Sequence, residues 1–356
     1  MRLPKDRSEV TEDWVADVCS SFLDSPGDPI EAVRLTNLGD GVGQLSELLL
    51  ADVDCRGGSS HQFVIKLHTN VPEMHQIGMG YRYYETEVRF YTEFASQVPM
   101  KTPAVYLAEF DPDEERVLLV MESLGGWHTP DQVEGASLDE IRTATAALAG
   151  LTAAFWNEPL LKQHRWMKNA RDDVFSGVPE MYRGCIETAV GRFGQAAPVA
   201  TLTMAEKLGQ AQEAILDAQV SGTQVLSHWD YRVANFFYGP QDEFVVIDWQ
   251  MMMMTPPAAD LSYLLGTNIE TELRRSAEAE LLEIYLDGLH EHGISDYTMN
   301  DLERDYRWGM LFASGIPIIG GAGVDESNPD SLALIQKMGS RLFNAIEDWD
   351  SLALLS

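Results

Sequence analysis

The segment "LSHWDYRVANFFYGPQDEFVVIDWQMMMM" (226–254) carries Asp230, then Asn235 on the same loop, then Asp248 beyond two short apolar runs. Carboxylate and amide oxygens are the hard ligands that magnesium takes, and a further carboxylate on a loop can orient a hydroxyl. Phosphoryl transfer uses that set, because its loose transition state asks for positioning and charge neutralisation more than covalent help. The runs "FFYG" and "FVVIDW", joined by "GPQDE", read as a hairpin. If they pair, Asn235 and Asp248 come to one end of it as Mg²⁺ ligands, and Asp230 is left to face an acceptor hydroxyl. Each residue alone also suits a turn, since Asp and Asn bond to nearby backbone there. The joint spacing, H-x-D-x4-N followed by strand, turn and "ID", carries the chemical reading. His228 is read as a residue that orders the loop.

Such a site also needs donors for phosphates. Lys66 stands among β-formers in "FVIKLH", where a half-buried ammonium is costly unless it meets an anion; snorkelling to solvent is the alternative. Glu87 in "YETEVRFY" is a candidate partner that would hold it toward phosphates, with Glu85 competing for that role. Gly39, Gly41 and Gly43 lie in a turn between two strand-like runs, where backbone N–H groups could approach phosphates. An ordinary hairpin would look the same, and without G-K-[ST] and a following helix the turn is not a P-loop. Asp260 in "TPPAADLSYLLG" reads as a possible N-cap.

The elements that must hold these residues divide the chain. Residues 8–23 have helical apolar spacing, and 33–67 break into short β-type runs, an antiparallel meander. A helix follows over 81–98, then two strands across 100–124 around an acidic turn. After "LGGWHTPDQVEGAS" (124–137) the chain is mostly helical, with the opening segment as a β island. The expected division is a nucleotide-binding lobe, 1–122, and a catalytic and acceptor-binding lobe, 123–356, with a hinge at about 121–127. A helical insert, 157–222, and the run Met251–Met254 are candidate sources of acceptor contacts.

With 356 residues and 45% hydrophobic content, the chain has ample core for two lobes. Its 25 basic against 56 acidic side chains give a net charge of −31, which disfavours nucleic acid and anionic membranes as partners. Three scattered cysteines, no apolar leader and no bilayer-length run point to a soluble, reducing, cytoplasmic setting. The sequence sets no oligomeric state.

The motif "HWDYRVANFFY…FVVIDWQ…DLSYLLG", with weaker support from "ETEVRFY", "LVMESL", "DQVEG" and "LAGLTAAFW", resembles the aminoglycoside phosphotransferase-like superfamily of small-molecule kinases, and most of all its ecdysteroid kinase-like branch. The resemblance runs from the glycine turn to "RLFNAIEDWD" (341–350). It implies an α+β, bilobal protein kinase-like fold, with a β-rich amino-terminal lobe holding one main helix and a larger α-helical carboxy-terminal lobe. It also implies transfer of the ATP γ-phosphate to a hydroxyl of a small molecule, with ATP and Mg as cofactors. By position, Asp230 resembles the catalytic aspartate, Asn235 and Asp248 the metal ligands, Lys66 and Glu87 the phosphate-positioning pair, and Asp260 the aspartate that braces the catalytic loop. Backbone groups from Glu122 to Leu124 would face the adenine. Two features depart from the family pattern: Trp229 replaces a small residue, and the histidine often found near Leu151–Thr152 is missing. A partly apolar acceptor is the first expectation. An aminoglycoside, a hydroxyacyl thioester, or a non-catalytic kinase-like binding protein are the alternatives.

Overall fold

The computed structural model describes residues 2–23, 28–38 and 45–355. Gly39, Gly41 and Gly43 lie outside the described residues. The chain forms two compact units, one of residues 1–97 and 102–127, the other of 98–101 and 128–356.

The first unit is built on an antiparallel sheet of order β1-β2-β3-β5-β4, with β1 Ile30–Leu38, β2 Ser46–Cys55, β3 Ser60–His68, β4 Val105–Asp111 and β5 Arg116–Glu122. Alternation along β2 buries Leu49, Ala51, Val53 and Cys55 on one face. There they pack with Val15 and Cys19 of helix α1 (Glu12–Cys19) and with Phe63, Ile65 and Leu67 of β3. The opposite face, with Val117, Leu119 and Met121, packs against Tyr84 and Val88. Because strand side chains alternate, Val64 and Lys66 point to this second face. β5 is buried along nearly its whole length, which explains its unbroken run "RVLLVM".

The expected helix over 81–98 is observed as α3, Tyr83–Arg89, continued by a π-turn, Phe90–Phe94. A further helix, α2 (Pro72–Gly80), precedes it. Its sequence gives little periodic signal because two of its nine residues are glycines. Arg82, in the left-handed region at φ 57°, separates the two.

In the second unit, helix α4 (Leu138–Ala154) begins in a capping box made by Ser137 and Glu140. The segment expected to be a helical insert is irregular up to Gly177 and then forms α5 (Val178–Arg192), α6 (Thr201–Gln210) and α7 (Gln212–Gln219). The β island follows: β6 Val225–Ser227, β7 Phe236–Tyr238, β8 Phe244–Val246 and β9 Met253–Thr255. The unit closes with α8 (Ala259–Thr267), α9 (Thr271–Glu291), α10 (Met299–Ala313) and α11 (Pro329–Asp348). Among the described residues, no helix is long and apolar enough to cross a membrane.

Candidate functional site

Two pairings gather the loop residues. β7 pairs antiparallel with β8, Phe236 opposite Val246, and the Ile247 amide donates to the Asn235 carbonyl at 3.0 Å. β6 pairs with β9, Ser227 opposite Met253. The chain therefore leaves β6, runs through Asp230 and Asn235, makes the hairpin, and returns through Asp248 to the same end of β6. Asn235 and Asp248 flank one end of the hairpin.

His228 ties the two arms together. Its Nδ1 accepts from the Asp230 amide at 3.2 Å, so its other ring nitrogen is the donor to the Ile247 carbonyl at 2.9 Å. The ring is fully buried, 4.6 Å from Trp249 between centroids. His228 is thus a strut.

Asp260 is not an N-cap. It sits in the first turn of α8, whose cap, Ala258, makes no side-chain bond. Its carboxylate accepts from Ser227 Oγ, the His228 amide and the Trp229 amide, each at 2.8 Å, bracing the loop from behind. Burial raises its pKa, opposed by His228 and these donors. Replacing it with alanine would strand buried donors, each costing about 1–3 kcal/mol. Asp260→Ala is expected to lose about 3 kcal/mol or more in urea unfolding, and an unchanged midpoint would contradict the brace.

The Asp230 carboxylate is held by three side chains. Oδ2 accepts from Arg232 Nε at 3.0 Å and from Asn235 Nδ2 at 2.9 Å, and Oδ1 accepts from the Tyr263 hydroxyl at 3.2 Å. Asp230 holds the Arg232 guanidinium charged well beyond its ordinary range. Burial, and next the Asp230 charge, push the Tyr263 phenol far up, so it stays protonated as a donor. Neither Arg232 nor Tyr263 is among the site residues that the sequence motif points to. The D-x-R spacing of Asp230 and Arg232 was available as a signal, whereas Tyr263 is remote from Asp230 in sequence and meets it only through α8.

Trp229, where the resemblance leads one to expect a small residue, has φ 58°, a left-handed conformation unusual for a bulky residue. Its indole stacks on Phe312 of α10 at 4.2 Å, and this packing holds it there. Asp248, also left-handed at φ 65°, accepts from Gln250 Nε2 at 3.1 Å. That bond fixes the amide's orientation and leaves Gln250 Oε1 buried without a partner.

The residues fit a magnesium ion. Asn235 spends its Nδ2 on Asp230, so its Oδ1 is the amide atom that could serve a cation, and the hairpin brings Asp248 to the same end. Among the described residues no three His, Cys, Asp or Glu side chains form a metal cage. Magnesium needs none, since it takes one or two carboxylates plus substrate phosphates and water.

In the first unit, Lys66 Nζ bonds Glu87 Oε1 at 2.8 Å; the two residues are 8% and 2% exposed. Glu85, the competitor, pairs with Arg89 instead. At the end of β5, the Glu122 amide donates to the Ala104 carbonyl, and the Leu124 carbonyl accepts from the Trp127 amide.

Most of the apolar residues in the two candidate acceptor-side segments are core. Met252, Met253 and Met254 are buried, the last two paired in β9, and Met251 is only partly covered. Trp166, Met167, Tyr182 and Phe193 of the 157–222 segment are core. A cavity of about 500 Å³, lined by Trp156, Thr223, Tyr297, Asp305 and Trp308, lies toward the Val225–Thr255 end of the β6–β9 pair, away from Asp230.

These features define a protein kinase-like fold, and solved structures share it. A Plasmodium vivax ethanolamine kinase aligns with TM-score 0.57 and 13% identity over 97% of this chain and 94% of that one. An aminoglycoside 2′-phosphotransferase in complex with GDP gives 0.54 and 12%, over 97% and 99%. A macrolide 2′-phosphotransferase from Brachybacterium faecium gives 0.51 and 17%, over 91% and 98%. No curated protein matches the chain in sequence. The ecdysteroid kinase-like family model matches residues 43–295, and the chain belongs to that family. It is a small-molecule kinase.

Proposed function

We propose that the protein is an ATP- and Mg²⁺-dependent O-phosphotransferase acting on a hydroxyl of a partly apolar small molecule. The observation that carries this reading is the Asp230 carboxylate, fixed by Arg232, Asn235 and Tyr263 at the end of the hairpin that also bears Asp248.

Oδ2 already takes two donors and Oδ1 one, so Oδ1 retains the capacity to accept the substrate hydroxyl. In the transfer, a bond forms between the acceptor oxygen and the γ-phosphorus while the bond to the bridging oxygen of ATP breaks. ADP leaves, and the hydroxyl proton passes to Asp230 late in the step. Lys66, steadied by Glu87, would hold the α and β phosphates, and the Leu124 amide would meet the adenine. Asp248 and Asn235 would hold Mg²⁺, which supplies charge neutralisation to the phosphates when bound.

The apolar character of the acceptor follows from the family resemblance, and Phe312, half-buried where it stacks on Trp229, is the ring near Asp230 that retains exposed surface to meet such a molecule. The net charge of −31 favours a second reading, a cationic acceptor such as an aminoglycoside. A panel of sterol-like alcohols, aminoglycosides and hydroxyacyl thioesters, offered with labelled ATP and Mg²⁺, separates these. Phosphorylation of the apolar alcohols is expected, and labelling of aminoglycosides alone would reverse the preference.

A further inference from the structure

The sequence motif "DQVEG" (131–135) has no part in the site as described so far, yet the second unit fixes it with unusual care. Asp131 Oδ1 accepts from the Val133 amide at 2.7 Å and the Glu134 amide at 3.2 Å, closing a turn. The buried Arg341 donates to the Gln132 carbonyl at 2.7 Å and the Val133 carbonyl at 2.8 Å. Gly135, at φ 89°, lets the chain pass this guanidinium, where a Cβ would come within 3.1 Å of Arg341 Nη2. All three devices present one side chain, Gln132, which is 6% exposed.

Gln132 Oε1 accepts from Arg232 Nη1 at 3.0 Å, and Arg232 Nε donates to Asp230 Oδ2 at 3.0 Å. A guanidinium only donates, so the amide's orientation is determined and its Nε2 points away from Arg232. That Nε2 is buried with no acceptor. A stranded buried donor is destabilising, and an apolar side chain of similar size would fill the space without it. Packing therefore does not account for a glutamine here, whereas the bond to Arg232 does. The Arg232 side chain is 27% exposed, and a second anchor keeps it from turning toward water.

We propose that Gln132 is a positioning residue for the transfer reaction: it fixes Arg232 so that the Nε–H holds Asp230 Oδ2 and Oδ1 is left to the acceptor hydroxyl. The proposal rests on the phosphotransfer reading above. Its test compares the full chain with Gln132→Met, which keeps the bulk and loses the acceptor, and with Gln132→Glu, which keeps an acceptor for Arg232. Mg-ATP hydrolysis with water as acceptor is measured over a range of nucleotide concentrations up to saturation. Gln132→Met should lower kcat by about 10- to 100-fold with KM for ATP unchanged, and Gln132→Glu should recover most of that loss.

A second readout is independent of turnover. The Arg232 Nε–H resonance, assigned by its disappearance in Arg232→Lys, should resist solvent exchange in the wild type and Gln132→Glu and lose that protection in Gln132→Met. Wild-type kcat in Gln132→Met, equal losses in both variants, or an unaltered Arg232 resonance in Gln132→Met would each overturn the proposal. A wild type that binds no Mg-ATP in calorimetry overturns the phosphotransfer reading and this proposal with it, whereas an active wild type with an unimpaired Gln132→Met overturns this proposal alone.

Discussion

Asp230→Asn is expected to lower turnover by about 10²–10⁴-fold, the range over which a positioned acid or base contributes, while ATP affinity stays close to the wild type. The three side-chain donors on this carboxylate explain why the two effects separate. An asparagine at 230 can keep its oxygen toward Arg232 and Asn235. Its amide then faces Tyr263, whose hydroxyl can turn from donor to acceptor. The loop is thus expected to hold, braced by Asp260 and tied by His228, neither of which the substitution touches. What disappears is the carboxylate that the proposed mechanism uses to orient the acceptor and take its proton. Steady-state rates with the acceptor found in the panel, calorimetry with Mg-ATP and a melting curve on the same sample test this together. Turnover within a few-fold of the wild type, in a folded variant, would remove Asp230 from the mechanism.

Asp248→Ala is expected to abolish the gain in ATP affinity that Mg²⁺ confers, leaving binding at its metal-free level. The loss has two origins. The substitution removes the one carboxylate proposed to hold the metal with Asn235, and alanine sits poorly at φ 65°, a conformation that Asp and Asn tolerate better. Asp248→Asn separates them, because it keeps the backbone preference and an oxygen for Gln250 while removing the charge. The asparagine variant should stay as stable as the wild type in unfolding experiments and still lose most of the metal-dependent affinity. If Mg²⁺ strengthens ATP binding equally in all three proteins, the metal is held elsewhere.

Local pattern reached a long way into this chain. Two apolar runs joined by "GPQDE" have nearly no choice but to pair, and pairing carries Asn235 and Asp248 to one end whatever surrounds them. The strands of the meander followed from period-2 alternation. The sequence left Lys66 to meet an anion or to snorkel to solvent, and the packed chain seats it against Glu87. Other assignments needed the packed chain. Glu85 and Glu87 lie two positions apart and so on different sides of α3. Only the docking of that helix, through Tyr84 and Val88, decided that Glu87 turns inward and Glu85 pairs with Arg89. Asp260 has a sequence context equally suited to a cap, and its role as a brace appears once β6 lies beside α8. The run Met251–Met254 reads as a source of acceptor contacts, but Met253 and Met254 pair with β6 in β9 and are buried with Met252, which leaves Met251 alone partly covered.

The contacts of Asp230 divide in the same way. Asn235 and Arg232 are its neighbours on one loop, and their spacing is written in the sequence. Tyr263 and, through Arg232, Gln132 reach it from α8 and from the turn pinned by Arg341. A short-range pattern specifies strands, turns and the order of ligands, because those depend on residues a few positions apart. Which remote side chain completes a carboxylate's hydrogen bonds depends on how whole elements pack, and no spacing along the chain encodes it.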